Sequence, residues 1–152
     1  MQEIHRTKFV VQKMSGAESV SNRIQTLPAA MWLSGLHPWR GHFDGTTFGV
    51  NVTVLNFTQE TRGDGPTLHV HTYDEIFIVR RGQGVFKIGH VCIEAKEGDV
   101  LFGPANIPHA FKNNGDTPLE TIDIHLSEKW IQKDLVDTDP DWWLRPGAAI
   151  LR

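Results

Sequence analysis

The chain has 152 residues, with 15 Lys and Arg against 18 Asp and Glu for a formal net charge of -3. That length suits one domain with a sizeable core, and scattered basic residues under a weak negative charge exclude the electrostatic footprint of a nucleic-acid or acidic-membrane partner. A single cysteine, Cys92, rules out an internal disulfide and a cysteine-built zinc knuckle.

In chain order, residues 1–45 hold one strand candidate, KFVVQ (8–12), and then an irregular Gly-, Pro- and Trp-containing stretch, LPAAMWLSGLHPWRGHFDG (27–45). No segment has the apolar core of a signal peptide or the length of a membrane span, so the expectation is a soluble, cytoplasmic protein. From about Thr46 to Leu126 strand signals dominate. TFGVNVTVLNF alternates, with Val50, Val52 and Val54 on one face. EIFIVRR, GVFKIG, VCIEA, DVLFGP, HAFKN and LETIDIHL follow, separated by the turn signals RGDGP, GQG, GH, EGD and NNGDTP. Many short strands joined by tight turns predict an all-β sandwich or barrel. Beyond it, SEKWIQKDL predicts a short C-terminal helix, with Ser127 as N-cap and Trp130, Ile131 and Leu135 on one face. The tail DTDPDWWLRPG is too turn-rich to continue that helix. All five Trp lie outside the strand region, which points to sealing a barrel end or a subunit contact. Cys92 reads as a packed, inert thiol.

The stretch HVHTYDE carries the chemistry. Residues two apart on a strand share a face, so His69 and His71 project together. Glu75 opens the next strand, with Phe77 and Val79 on its inward face and Ile76 and Ile78 outward. Two imidazoles and a carboxylate on one interior surface suit a divalent transition metal. A further histidine, His109, arrives from GDVLFGPANIPHAFKN (98–113) and makes a set of three His and one Glu. In LETIDIHL, Thr121, Asp123 and His125 share one face and Ile122, Ile124 and Leu126 the other, and the pattern leaves open which face is interior. His37 and His42 flank PWRG and read as surface histidines; His5 and His90 read as terminus and hairpin-turn residues.

The spacing of Gly63, His69, His71, Glu75 and Gly82 resembles the first conserved motif of the cupin superfamily, and Gly98, Pro104, His109 and Asn113 resemble its second. Nine positions at fixed spacing agree across two separated segments, and the likeness extends over about residues 47–126. One departure is Asn106, where the family often has glycine; asparagine tolerates the left-handed conformation better than other non-glycine residues. The resemblance implies a single domain over 1–152: a cupin-type double-stranded β-helix, or jelly-roll barrel, with an irregular N-terminal extension. It implies metal ligands at His69, His71, Glu75 and His109, holding one divalent ion of Fe, Mn, Ni, Zn or Cu. His125 becomes a candidate acid/base or supporting residue, Tyr73 a candidate catalytic residue, and Phe77, Phe111 and Asp123 candidate pocket residues. It also implies a homodimer, since cupins often pair through sheet surfaces, with Ile76, Ile78 and the Trp130 segment as the apolar patch. The flexible RGDGP loop would admit a small-molecule substrate. A metal-dependent enzyme is the leading function, with dioxygenase chemistry ahead of an isomerase, lyase or hydrolase. A non-catalytic small-molecule or metal-binding module is the alternative, and a barrel merely pinned by its metal is the third reading.

Overall fold

The computed structural model describes residues 25–35 and 39–145. The KFVVQ strand candidate, His5 and His37 lie outside the described residues. A four-residue helix α1 (Ala29–Trp32) and a short strand β1 (Gly41–Phe43) precede the barrel. Eight further strands build it: β2 (Thr53–Gln59), β3 (His69–Val70), β4 (Glu75–Arg81), β5 (Gln83–Ile88), β6 (Val91–Lys96), β7 (Val100–Gly103), β8 (His109–Asn113) and β9 (Leu119–His125). The short β10 (Lys133–Asp134) follows.

Two antiparallel five-stranded sheets form, ordered β1-β2-β9-β4-β7 and β10-β3-β8-β5-β6, as expected for a jelly-roll barrel. Cross-strand partners share a face, so register locates the interior. One row of the first sheet aligns Thr53, His125, Glu75 and Gly103, and the next aligns Leu55, Asp123, Phe77 and Leu101. All of these side chains except the glycine's point between the sheets, and Thr53, Leu55, Glu75, Phe77, Asp123 and His125 are all buried. From the other sheet, His69 pairs with His109. The barrel is therefore polar at one end and apolar at the other, where Phe77, Val79, Phe86, Leu101, Phe111 and Leu119 pack together.

The outer face of the first sheet is apolar as well. Phe43, Val54, Ile124, Ile76 and Phe102 form one continuous cross-strand row. This settles β9: its polar face is inside, and its isoleucines lie outside.

Two expected elements differ. TFGVNVTVLNF does not run as one strand, because residues 45–47 form a 3-10 turn. The Gly45 carbonyl accepts from the N–H groups of Phe48 and Val50 at 3.1 and 3.0 Å. A Cβ at Gly45 would stand 2.1 Å from the Val50 oxygen, so the turn requires glycine. The helix expected over SEKWIQKDL is absent. Ser127 Oγ accepts from Lys129 N–H at 3.3 Å, but the chain then extends as a strap across the barrel mouth. Its backbone groups are satisfied by β3, by Leu68, whose carbonyl accepts from Leu135 N–H, and by Tyr73. Tertiary partners replace the i to i−4 bonds that a nine-residue helix would supply only weakly by itself.

Of the tryptophans, Trp142 is buried on the outer face of the second sheet with Val85 and Ala110, with Cys92 and Trp143 packed around it. Trp39 donates its Nε1–H to the Thr121 carbonyl and lies under Arg80. Trp130 instead covers the barrel mouth. Among the described residues, no helix is long and apolar enough to cross a membrane.

Candidate metal centre

His69, His71, Glu75 and His109 are all buried at the polar end, and one donor atom from each lies within 4.8 Å of the others. Register brings them together. His69 faces His109 directly across β3–β8, and Glu75 starts β4 opposite His125. His71 follows β3 on the same face as His69, their ring centroids 4.9 Å apart.

Hydrogen bonds orient each imidazole. His69 Nδ1 is 2.7 Å from the Thr67 carbonyl, His71 Nδ1 2.6 Å from that of Ile131, and His109 Nδ1 3.1 Å from that of Ile107. A carbonyl only accepts, so all three Nδ1 atoms carry the proton and all three Nε2 atoms present lone pairs. His109 Nε2 then lies 2.8 Å, and His71 Nε2 3.2 Å, from Glu75 Oε2. None of these three atoms has a hydrogen-bond partner. Acceptors this close, buried and unpartnered require a positive centre among them. An extra proton on His69 supplies one poorly. Burial first, and neighbouring imidazoles after it, lower His69 to about 4 despite its bond to Thr67. A divalent cation meets the same need with one charge centre, and three imidazoles with a carboxylate are ordinary donors for it.

The second carboxylate oxygen is held separately. His125 Nε2 is 3.0 Å from Glu75 Oε1, and His125 Nδ1 is 2.9 Å from Tyr73 Oη. Burial raises the Tyr73 hydroxyl, which stays protonated at neutral pH. Its one proton lies between two acceptors, the Ile131 carbonyl and His125 Nδ1, both at 2.9 Å, while Ile131 N–H donates to Tyr73 at 3.0 Å and His125 Nε2 faces Glu75 Oε1. Burial disfavours the Glu75 charge, and the His125 imidazole at Oε1 favours it. Tyr73 also stacks on His71, at 5.0 Å and 12°.

A cavity of about 190 Å³ opens on the His69–Glu75 edge of the cluster. Leu55, Phe57, Phe111 and Trp130 supply apolar walls; Asp123, His125, Thr67 and Gln132 supply the polar ones. Asp123 is 1% exposed, and its Oδ1 has no partner. Burial first, and then the Glu75 charge, push its carboxyl well above the usual range.

The expected pocket residues thus divide. Phe111 and Asp123 line the cavity. Phe77 faces the interior but sits in the apolar core, its ring edge-on to His109 at 5.4 Å. It leans into the space left by Gly103, where a Cβ would stand 3.1 Å from the Phe77 ring. Tyr73 lies behind His71 and does not line the cavity. His42 is exposed, with its ring against Trp130 at the rim. The RGDGP loop is tied down: Gly63 N–H donates to the Asn113 carbonyl at 2.8 Å, and Asn113 N–H returns to that of Asp64 at 2.9 Å. Its neighbours Pro66 and Thr67 border the cavity. Asn106 has φ 63, the one non-glycine residue with positive φ among the described residues, and its N–H donates to the His71 carbonyl at 2.7 Å. The orienting carbonyls of Thr67, Ile107 and Ile131 and the cavity residues Leu55, Phe57, Trp130 and Gln132 were not expected. Alternation on β2 places Leu55 and Phe57 inward; the backbone partners leave no side-chain signal.

With this geometry in place, comparison with known proteins is direct. Residues 57–125, which hold the whole four-residue cluster, match the family model for the cupin domain. The chain carries a cupin domain. An uncharacterized protein of Methanocaldococcus jannaschii is 33% identical over 61 residues, covering 40% of this chain and 49% of that one. Among solved structures, oxalate decarboxylase of Bacillus subtilis at pH 4.6 superposes with a TM-score of 0.58 at 22% identity. The same enzyme, in work on its Mn(II) centres, gives 0.57 at 22%. Both cover 62% of this cupin, which spans only 27% of their chains. At that identity the likeness concerns the fold.

Proposed function

We propose that this cupin is a metal-dependent enzyme acting on a small organic molecule, with His69, His71, Glu75 and His109 as the ligands. The observation that carries the reading is the set of unpartnered buried atoms, two imidazole Nε2 and Glu75 Oε2, in a cluster whose His69 and Glu75 line a cavity large enough for a substrate. Four protein ligands leave positions of an octahedral ion free for substrate. The bound ion would polarise a substrate oxygen or, if redox-active, support oxygen chemistry. The chain's own residues do the rest: His125 fixes Glu75 so that Oε2 faces the cluster, Tyr73 fixes His125, and Leu55, Phe57 and Phe111 exclude water from the reacting end. Dioxygenase chemistry leads, because three imidazoles and one carboxylate suit first-row redox metals beside apolar walls. A lyase is the second reading, favoured by the decarboxylase neighbours.

The test is elemental analysis of protein purified without added metal, alongside His71→Ala, followed by oxygen uptake with a panel of small substrates. One transition-metal ion per wild-type chain, lost in the variant, is expected. Equal metal content in both preparations defeats the ligand assignment, and tight ligand binding without turnover replaces the enzyme by a binding module.

A second copy of the chain is the partner this reading includes. Val100 and Phe102 are 64% and 54% exposed on the edge strand β7, beside Ile78 and Ile76. A monomeric mass by light scattering would defeat it.

A further inference from the structure

We infer that the cavity selects an uncharged or singly charged, partly apolar molecule bearing a hydroxyl group that bonds Asp123, and that it rejects small dianions such as oxalate. This rests on the reading that the cavity is the substrate site.

Three observations carry the inference. First, no lysine or arginine lines the cavity among the described residues, whereas two carboxyls, Glu75 and Asp123, do. A dianion would enter a largely apolar space with no fixed cation beyond the bound metal, and would face a second acidic group. Desolvating two charges there is costly without paired counter-charges. Second, Asp123 is 1% exposed, lines the cavity, and leaves Oδ1 without a partner. A buried polar atom beside an apolar cavity is costly until a partner satisfies it. A hydroxyl does so in either protonation state of Asp123, donating to a carboxylate or accepting from a carboxylic acid. Third, the volume sets the size. An apolar cavity of about 150 Å³ takes benzene, so 190 Å³ takes a single ring or short chain with one or two substituents. Phe57, Phe111 and Trp130 offer faces and edges for such a body.

Asp123 also explains a departure in the core. Its row otherwise reads Leu55, Phe77 and Leu101, so a leucine there would pack with its neighbours. A carboxyl at that point serves recognition rather than packing.

Calorimetric titration of zinc-loaded and metal-free protein with resorcinol, meta-difluorobenzene and oxalate tests this. Resorcinol is expected to bind at least tenfold tighter than meta-difluorobenzene, and tighter than oxalate, in both forms. Asp123→Leu should remove that tenfold advantage while keeping the zinc content of wild type. Equal affinities for the two ring compounds, no resorcinol binding, oxalate binding as tight as resorcinol, or an advantage that survives in Asp123→Leu each overturns the inference. The ring comparison uses wild-type protein, so it decides even if the variant fails to fold. Absence of zinc uptake would instead defeat the metal centre, with Asp123 recognition still judged on the metal-free protein.

Discussion

Glu75→Gln should stabilise the metal-free protein and abolish its stabilisation by metal. With Nδ1 of His71 and His109 each bonded to a backbone carbonyl, their Nε2 lone pairs stand 3.2 and 2.8 Å from Glu75 Oε2, unpartnered. A glutamine keeps Oε1 as acceptor for His125 and puts an NH₂ where Oε2 was, so it can donate to both imidazoles. Each such bond contributes about 1 kcal/mol net, a gain of roughly 1–2 kcal/mol in chelator. At about 2–4 °C per kcal/mol for a chain of this size, Tm should rise by roughly 2–8 °C. Wild type with zinc at about 1,000 times Kd gains about 4 kcal/mol instead, roughly 8–16 °C, and the variant should gain almost none of that. Scanning calorimetry of both proteins, with zinc and with chelator, reads all four values. A variant that melts lower than wild type in chelator, yet still rises fully with zinc, would refute the lone-pair argument.

His125→Phe should leave the barrel folded and weaken metal affinity about 10–100-fold, because the carboxylate loses its orienting partner; competition against a chromophoric chelator measures this. His69 predicts the acid limit of the metal-free protein. Its folded pKa, about 4, lies below the unfolded value of 6.5, so its contribution is complete above pH 6.5 and lost as pH falls towards 4. That amounts to at most about 3 kcal/mol, and the slope between those values should shrink in urea melts of His69→Leu. Asn106→Ala should cost about 1 kcal/mol through its left-handed backbone, whereas Asn106→Gly should stay within about 0.5 kcal/mol of wild type by chemical denaturation.

The strands from β4 to β9 were legible as short runs separated by turn residues, but a tight turn sets the register only of β5–β6; β4–β7, β4–β9 and β5–β8 pair between strands distant in sequence. His69, His71, Glu75 and His109 were legible from spacing. The orientation of β9 was not, since its two faces alternate cleanly and an apolar outer face is as regular as an apolar inner one. The strap misled for a physical reason. Trp130, Ile131 and Leu135 have helical spacing, but Trp130 serves the cavity and Ile131 offers its backbone to Tyr73 and His71, both contacts between residues distant in sequence. The division between Asp123, which lines the cavity, and Phe77 beside it in the same row depends on where a ring leans, which periodicity does not encode.

The Ile131 peptide unit joins the strap to the cluster at both of its polar atoms. Its carbonyl accepts from His71 and lies 2.9 Å from Tyr73 Oη, while its N–H donates to the same hydroxyl. The strap that roofs the cavity is thereby also the clamp on one ligand ring. Lifting it to let a molecule pass would free His71 to rotate and would loosen Tyr73 from His125 in the same movement. Under the proposed function, substrate exchange and metal retention would be coupled through this one peptide unit: a protein that opens readily should also lose its ion readily, and a ligand that holds the strap closed should slow the ion's escape.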